Sequence, residues 1–424
     1  MNILIINHNG GSIHHGPNLR TYFAAKELVK RGNKVTIASS SFSHKYSVLP
    51  KVNGAVTDEC IDGVDYKWIK CIKYNNLIQR IFSHFQFGVK IIRHRQRVCT
   101  KADVVIFSGP PPEIFLFSWL FARLLGVPII SDIRDFWPRT QIEMSGLQWL
   151  NPFTYFLFFC QFIMVRYSDR IVSPLPGAGR YLSRVGAKSK VSIIENGYDL
   201  QRKSDPSPPK LEVAGCSKDI GFKVGTFVDL NEIKSLGKFI VGYAGAFDRD
   251  NDIDSLLLAA KEMANRKDVL FFMIGAGVKK TEVVELANSL PNLLVCERVP
   301  SSSVPSVLSI MDVCFCGLKP KNIYKYGVSL AKSFEYMATR KPILWMIEAY
   351  NNPVRESGGG VLIEPSNVTK LVEAIVICIE KESTDLSELG NLGFEYLQQN
   401  HSYEVLGSKW AELVSEVDSN YEYK

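Results

Sequence analysis

MNILIINHNGGSIHHGPNLRTYFAAKELVKRGNKVTIAS, residues 1–39, holds three patterns in a row. Residues 2–6 are a short apolar run closed by a Gly-rich stretch, which reads as a buried strand. From residue 19 the spacing becomes helical. Leu19, Phe23, Ala24 and Leu28 share one face, and Gly32 stops the helix. Residues 34–39 then form a second strand. Strand, helix and strand in succession predict a parallel pair with a right-handed crossover.

The same alternation continues outward. DVVIFSG (103–109) precedes the helical EIFLFSWLFARLLG, and PIISDIRD (128–135), RIVSPLP (170–176) and KVSIIENG (190–197) supply further strands. After a polar, Pro-bearing stretch at 201–237 the pattern restarts with FIVGYAGA (239–246), IDSLLLAAKEMAN (253–265) and VLFFMIGAG (269–277). DVCFCGL (312–318), KPILWMI (341–347) and GGGVLIEP (358–365) complete a second set. The expected class is α/β: two Rossmann-like domains facing across a cleft. The expected boundaries are 1–198 and 199–402, with a last helix at 403–424 returning to the first domain. The 201–237 stretch reads as a surface excursion.

Composition agrees with this class. The chain has 424 residues, 46% hydrophobic and 22% charged, which excludes a disordered chain, a collagen and a coiled coil. A mean hydropathy of +0.01 excludes a polytopic membrane protein. No secretory signal is evident, because the first apolar run is so short. The nine cysteines form no CxxC pair and have no zinc spacing, so they read as reduced thiols in a cytosolic protein. Charge is uneven. Residues 1–200 carry 25 Lys/Arg against 13 Asp/Glu, whereas the remainder carries 25 against 30. Different partners for the two halves are the natural reading.

KYGVSLAKSFEYMATRKPIL, residues 325–344, is the strongest chemical signal. Ser329 can cap a helix that carries Lys332 in its first turn and Glu335 one turn later. A cation there opposes the helix dipole, which makes sense beside a bound anion. Glu335 can accept hydrogen bonds from sugar hydroxyls. A solvated Lys–Glu pair is the plain alternative on spacing alone. DRDND (248–252) has the spacing of a D-x-D metal motif, but ordinarily reads as the N-cap of the following helix through Asn251 or Asp252. No metal and no other cofactor are expected.

SLAKSFEYMATRKPIL resembles the donor-binding segment of family 4 retaining glycosyltransferases of the GT-B fold. It is most similar to transferases of surface-polysaccharide and O-antigen assembly. GPNLRTYFAAKELVKRGNKVTIASSSFSH (16–44), IISDIRDFWP (129–138), ENGYDL (195–200), YAGAF, MIGAG and ERVPSSSVPSVLSIMDV (297–313) follow in the family's order. The resemblance implies that Glu335, the second Glu of an E-x7-E motif, lies on the donor ribose. It implies that Ser329 and Lys332 hold the diphosphate, that Arg298 and Val299 meet the base, and that Gly245 admits the donor. Lys332 then serves catalysis by neutralising the leaving group. The first motif Glu is replaced by Gly327, and the basic pair usual after the first C-domain strand is missing from GAFDRDNDID.

On the acceptor side the candidates are His14, Gly16, Asp132 and Arg134, with Asp135 as a catalytic acid or base. They follow strands at the edge where open α/β sheets bind ligands. A structural Asp–Arg pair and plain surface histidines remain alternatives. Residues 78–97 hold five Lys/Arg and no acid, and residues 144–165 are uncharged and aromatic-rich. Both suit an anionic membrane surface, with core helices as the alternative, and neither suits nucleic acid. The second is too interrupted to span a bilayer. The expected function is transfer of a hexose or N-acetylhexosamine-type sugar, UDP-linked by preference, to a lipid-linked saccharide in bacterial lipopolysaccharide or related synthesis. It is placed on the cytoplasmic face of the cell membrane. A nucleotide-sugar 2-epimerase and a non-catalytic sugar-nucleotide-binding scaffold are the rivals.

Overall fold

The computed structural model describes residues 1–16, 19–187, 190–202 and 209–421. They divide into two compact units. The first holds Met1–Gly197, Lys325–Ser329 and Tyr403–Lys424, and the second holds Tyr198–Tyr324 and Leu330–Ser402.

The first unit contains β1 (Asn2–Ile6), β2 (Lys34–Ser40), β3 (Val56–Ile61), β4 (Val64–Ile69), β5 (Val104–Ser108), β6 (Ile129–Asp132), β7 (Arg170–Ser173) and β8 (Val191–Ile193). They form one sheet in the order β3-β4-β2-β1-β5-β6-β7-β8, parallel except for β3. The strands read as apolar runs because helices cover both faces. Ile3, Ile5, Val35, Ile37 and Ile106 pack on one face under helices Arg20–Lys30 and Tyr403–Ser419. Gly407 lets those two helices meet, since a Cβ there would lie 2.5 Å from the Glu27 Cβ. Helices Leu77–Arg93, Ile114–Leu125 and Pro152–Tyr167 pack together as a separate layer.

The second unit contains β9 (Leu211–Gly215), β10 (Phe227–Val228), β11 (Phe239–Ala246), β12 (Val269–Ala276), β13 (Leu293–Cys296), β14 (Val313–Gly317), β15 (Ile343–Met346) and β16 (Gly360–Leu362). Their order is β10-β9-β13-β12-β11-β14-β15-β16, and β11 to β16 are parallel. The described part of 201–237 is therefore more than an excursion. It adds β9 antiparallel to β13 and β10 antiparallel to β9. The runs LEVAG and FV are too short to announce strands, and a capping box between Asp229 and Glu232 closes the segment. In each unit consecutive strands run outward in opposite directions from a central pair, β1/β5 and β11/β14. Such a switch point leaves a crevice at the carboxyl ends of the strands.

The first unit is fastened by Arg20, a residue only 6% exposed. Its guanidinium donates to both oxygens of Asp132 at 3.0–3.3 Å, to the Ile194 carbonyl at 2.6 Å and to the Glu195 carbonyl at 2.7 Å. Ser108 donates to the same carboxylate at 2.8 Å. Burial works to raise the Asp132 carboxyl, but Arg20, Arg134 and these hydrogen bonds outweigh it, and its pKa falls below the usual value. The first helix, the ends of β5 and β6 and the loop after β8 are thereby locked together. Asp132 is spent on this lock, so its expected role toward an acceptor hydroxyl is withdrawn. Removing one partner of a buried ion pair strands the other charge. Arg20→Met is expected to lower the unfolding free energy by roughly 3–5 kcal/mol, read from urea denaturation. A loss below about 1 kcal/mol contradicts the lock.

Candidate functional site

Helix Ala331–Ala338 leaves the carboxyl end of β14, beside the β11/β14 switch point. Tyr336 pins it to the sheet. Its hydroxyl accepts from the Ala244 amide and donates to the Ala244 carbonyl, both at 3.1 Å. Lys332 and Glu335 are thus set at the strand ends. The Lys332 ammonium hydrogen-bonds the Asn251 side chain and lies 5.1 Å from the centroid of the Tyr243 ring. The Asn251 amide is itself held by the Ala246 carbonyl at 3.1 Å and by Asp248 at 2.9 Å. Among the described residues, no carboxylate comes within ion-pair distance of Lys332. Burial pulls its pKa below the ordinary lysine value, opposed in part by Cys316 and Asp248. Burial also raises the Glu335 carboxyl, against the pull of Arg202. A half-buried ammonium held by neutral groups is a site for an anion.

DRDND is a turn that serves this lysine. Asp248 accepts from the backbone amides of Asp250 and Asn251 at 3.2 and 3.0 Å. Asp252 is the N-cap of helix Ile253–Glu262 but makes no side-chain cap bond. Its carboxylate accepts from Ser255 and Ser366 instead. Asn251, expected as a candidate N-cap, instead holds Lys332, and Tyr243 and Arg202 carried no sequence signal because their roles depend on strand-end geometry. Arg298 is exposed and Val299 half-buried in the loop after β13. Gly245 is required by packing, since a Cβ there would meet the Tyr243 hydroxyl at 2.9 Å.

Ser329 differs from expectation. The N-cap position of helix Ala331–Ala338 is Leu330, with no side-chain cap. Ser329 belongs to the first unit, where its hydroxyl accepts from the Asn196 amide and its carbonyl from the Asn196 side chain, both at 2.9 Å. Within that unit Tyr326 packs against Phe136 and Tyr181, and its carbonyl accepts from Gly177 at 2.8 Å. Gly327 has φ +108°, a left-handed conformation in which Glu is strained. The missing motif Glu thus has a backbone cause.

At the β1/β5 side, Arg134 is half-buried, donates to Ser108 at 3.3 Å and lies 3.8 Å from Asp132. Asp135 is exposed at its surface, yet surrounding protein raises its carboxyl against Lys45 and Arg134. His14 is exposed, whereas His15 is buried, bonded to Ser12 at 2.8 Å and packed on Trp68. Burial, opposed by Glu59, pulls His15 down. Gly16 has φ +149°, and a Cβ there would lie 2.8 Å from the Lys45 carbonyl. Pro17 lies outside the described residues.

The two candidate membrane segments become helices Leu77–Arg93 and Pro152–Tyr167, each buried on one side only. Ile78 is 81% exposed and Leu150, just before the second helix, 83%; Leu77, Phe82, Val89, Leu124, Tyr155 and Phe159 are exposed as well. The core-helix alternative holds for one face of each. Among the described residues no helix is long and apolar enough to cross a membrane. All nine cysteines are free thiols, and seven are buried.

The description Glycosyltransferase Family 4 matches residues 16–202, and Glycosyl transferases group 1 matches residues 238–381. The chain is a glycosyltransferase, with its first part matching the family 4 model and its second the group 1 model. This glycosyltransferase has the GT-B fold, and its structural relatives span nearly its full length. Sucrose-phosphate synthase from Thermosynechococcus elongatus is 14% identical, covers 99% of this chain and 100% of its own, and superposes with a TM-score of 0.70. HepE from Anabaena in complex with UDP-glucose is 13% identical, covering 98% and 100%, with a TM-score of 0.61. The UDP-forming α,α-trehalose-phosphate synthase from Burkholderia vietnamiensis is 12% identical, covering 98% and 100%, with a TM-score of 0.67. Among curated proteins no sequence matches the glycosyltransferase.

The raised Glu335 carboxyl has a consequence for stability. The folded chain holds its proton more tightly than the unfolded chain, so this group's contribution weakens as pH rises from the ordinary glutamate range, about 4, through the folded value. Glu335→Gln is expected to raise the thermal midpoint at pH 7–8, with a gain that shrinks toward pH about 4. An unchanged midpoint across that range contradicts the assignment.

Proposed function

We propose that the enzyme transfers a hexosyl or N-acetylhexosaminyl group from a UDP-sugar to a lipid-linked saccharide, with retention at the anomeric carbon. The proposed setting is the cytoplasmic face of the cell membrane, in lipopolysaccharide or related surface-polysaccharide synthesis. The observation that carries the donor half is the carboxylate-free Lys332 ammonium beside Glu335 at the β11/β14 switch point. A UDP-sugar is favoured because HepE, of the same fold, is described in complex with UDP-glucose.

The chemistry follows from charge. As the bond from the anomeric carbon to the diphosphate breaks, negative charge develops on the leaving oxygens. Lys332 neutralises it, helped by the first amides of helix Ala331–Ala338. The acceptor oxygen bonds to the anomeric carbon on the same face. Its proton passes to the departing diphosphate. Glu335 accepts hydrogen bonds from the donor ribose, and Arg298 and Val299 lie against the base. Asp135 and His14 orient the acceptor.

The acceptor half rests on the three-helix layer of the first unit. Its exposed Ile78, Phe82, Val89, Leu124, Tyr155 and Phe159 stand among Lys90, Arg93, Arg95, Arg97, Arg123 and Arg166. There is no acid between residues 66 and 102 or between 144 and 168. Exposed apolar side chains on acid-free segments that also carry cations suit an anionic lipid surface, and that is the occupant proposed.

Lys332→Ala is expected to lower kcat/KM for sugar transfer by roughly 10²–10³, the effect of losing one electrostatic stabiliser. Turnover at the wild-type rate removes Lys332 from the mechanism. In vesicle co-sedimentation, neutralising Arg93, Arg95 and Arg97 reduces binding to anionic liposomes at low salt, while Ile78→Ser with Phe159→Ser reduces it at every salt concentration. Equal binding of the wild type to neutral and anionic vesicles dismisses the membrane reading.

A further inference from the structure

The first unit carries a recess at the edge of its sheet opposite the carboxyl ends. An open pocket of about 270 Å³ lies where β1 and β2 begin, beside β4. That is far more room than one water needs. Asn2 of β1, Lys34 of β2 and Lys67 of β4 line it, together with Arg97 and Lys101 from the chain that leads from helix Arg95–Val98 to β5. Four cations, Lys34, Lys67, Arg97 and Lys101, stand there against one carboxylate, Asp65.

Backbone contacts brace the frame and leave charge unspent. The Asn2 amide donates to the Asp103 carboxylate at 2.6 Å, and the Lys34 amide to the Met1 carbonyl at 2.8 Å. The Cys99 thiol donates to the Lys101 carbonyl at 3.3 Å. Arg97 donates to the Val56 carbonyl at 3.0 Å, a neutral acceptor that takes one of its five N–H groups. Lys67 is neutralised by Asp58 at 3.0 Å. Among the described residues Lys34 and Lys101 have neither an ion pair nor a side-chain hydrogen bond, and the side chains of Gln96 and Thr100, also on the pocket wall, have no hydrogen bond. Burial raises the Cys99 thiol, and the charges of Lys67 and Lys34 work against it, so both ammonium groups act on the same wall. Like charges gathered in one recess raise the local positive potential, which an anion relieves.

We propose that this pocket binds a phosphoryl group, held by Lys34 and Lys101 with Arg97 beside them. Two ammonium groups supply point charge, the guanidinium supplies directed donors, and Gln96 and Thr100 supply neutral ones. The pocket uses no residue of the Lys332 position and none of the acceptor-side candidates, so the inference stands apart from the transfer chemistry. Two sources offer the same chemistry. Arg97 belongs to the acid-free segment whose helix exposes Ile78, Phe82 and Val89, so a phospholipid headgroup can enter from a membrane lying on that segment. A free phosphorylated metabolite needs only the pocket.

The test pairs calorimetric titration of the full chain with glycerol 3-phosphate and co-sedimentation with phosphatidylcholine vesicles with and without phosphatidic acid. UDP is held at saturation to occupy Lys332. Lys34→Gln and Lys101→Gln are each expected to weaken whichever probe the wild type binds by about tenfold or more, the effect of losing a charge-assisted contact. Lys34→Arg keeps most of the affinity. Both lysines are exposed, so the thermal midpoint of each variant stays at the wild-type value. Lysine-dependent binding of glycerol 3-phosphate assigns a free phosphorylated ligand, and lysine-dependent binding of phosphatidic acid vesicles alone assigns a lipid headgroup. Wild-type affinity for both probes in the Lys34→Gln/Lys101→Gln double variant overturns the proposal, as does a wild type that binds neither. If UDP fails to bind, the donor reading fails by itself, and the dependence on the two lysines still decides this one.

Discussion

The buried Arg20–Asp132 pair organises the first unit. A guanidinium with so little access to water is costly unless its donors are used, and here they reach Asp132 and the loop at residues 194–196. The pair joins the first helix, the ends of β5 and β6, and the loop after β8. Asn196 in that loop then holds Ser329, so residues distant in sequence share one polar network. Arg134 is oriented by the same carboxylate. Positions at the strand ends inherit their rigidity from this lock.

The second unit solves the opposite problem. There a cation is kept near the surface and deliberately under-compensated. Neutral Asn251 and the Tyr243 ring hold the Lys332 ammonium in place without cancelling its charge. Asp248 could form a direct pair, but its carboxylate is occupied by the turn that presents Asn251. The Glu335 carboxyl is likewise held where burial disfavours its charge. Local cost at such groups is characteristic of binding chemistry.

Much of this was legible in the sequence. Apolar runs of parallel strands and the helical spacing between them declared both sheets, because strands covered on two faces need no alternation. The Lys332–Glu335 helix was visible through its order and spacing. Other features depended on contacts between distant residues. Nothing in the sequence pattern singled out Arg20, yet it is the buried partner of Asp132. Ser329 looked like a cap, and its hydroxyl instead serves Asn196. The strands β9 and β10 were hidden by their shortness. Asn251 was hidden in a run of acids that resembled a metal motif.

The account turns on an anion-binding position built from Lys332, Asn251 and the start of helix Ala331–Ala338. Hydrogen–deuterium exchange of the enzyme with and without UDP-glucose reads it directly. The account predicts slowed exchange at residues 246–252 and 330–336. Unaltered exchange at both segments, with protection confined to other parts of the chain, contradicts it.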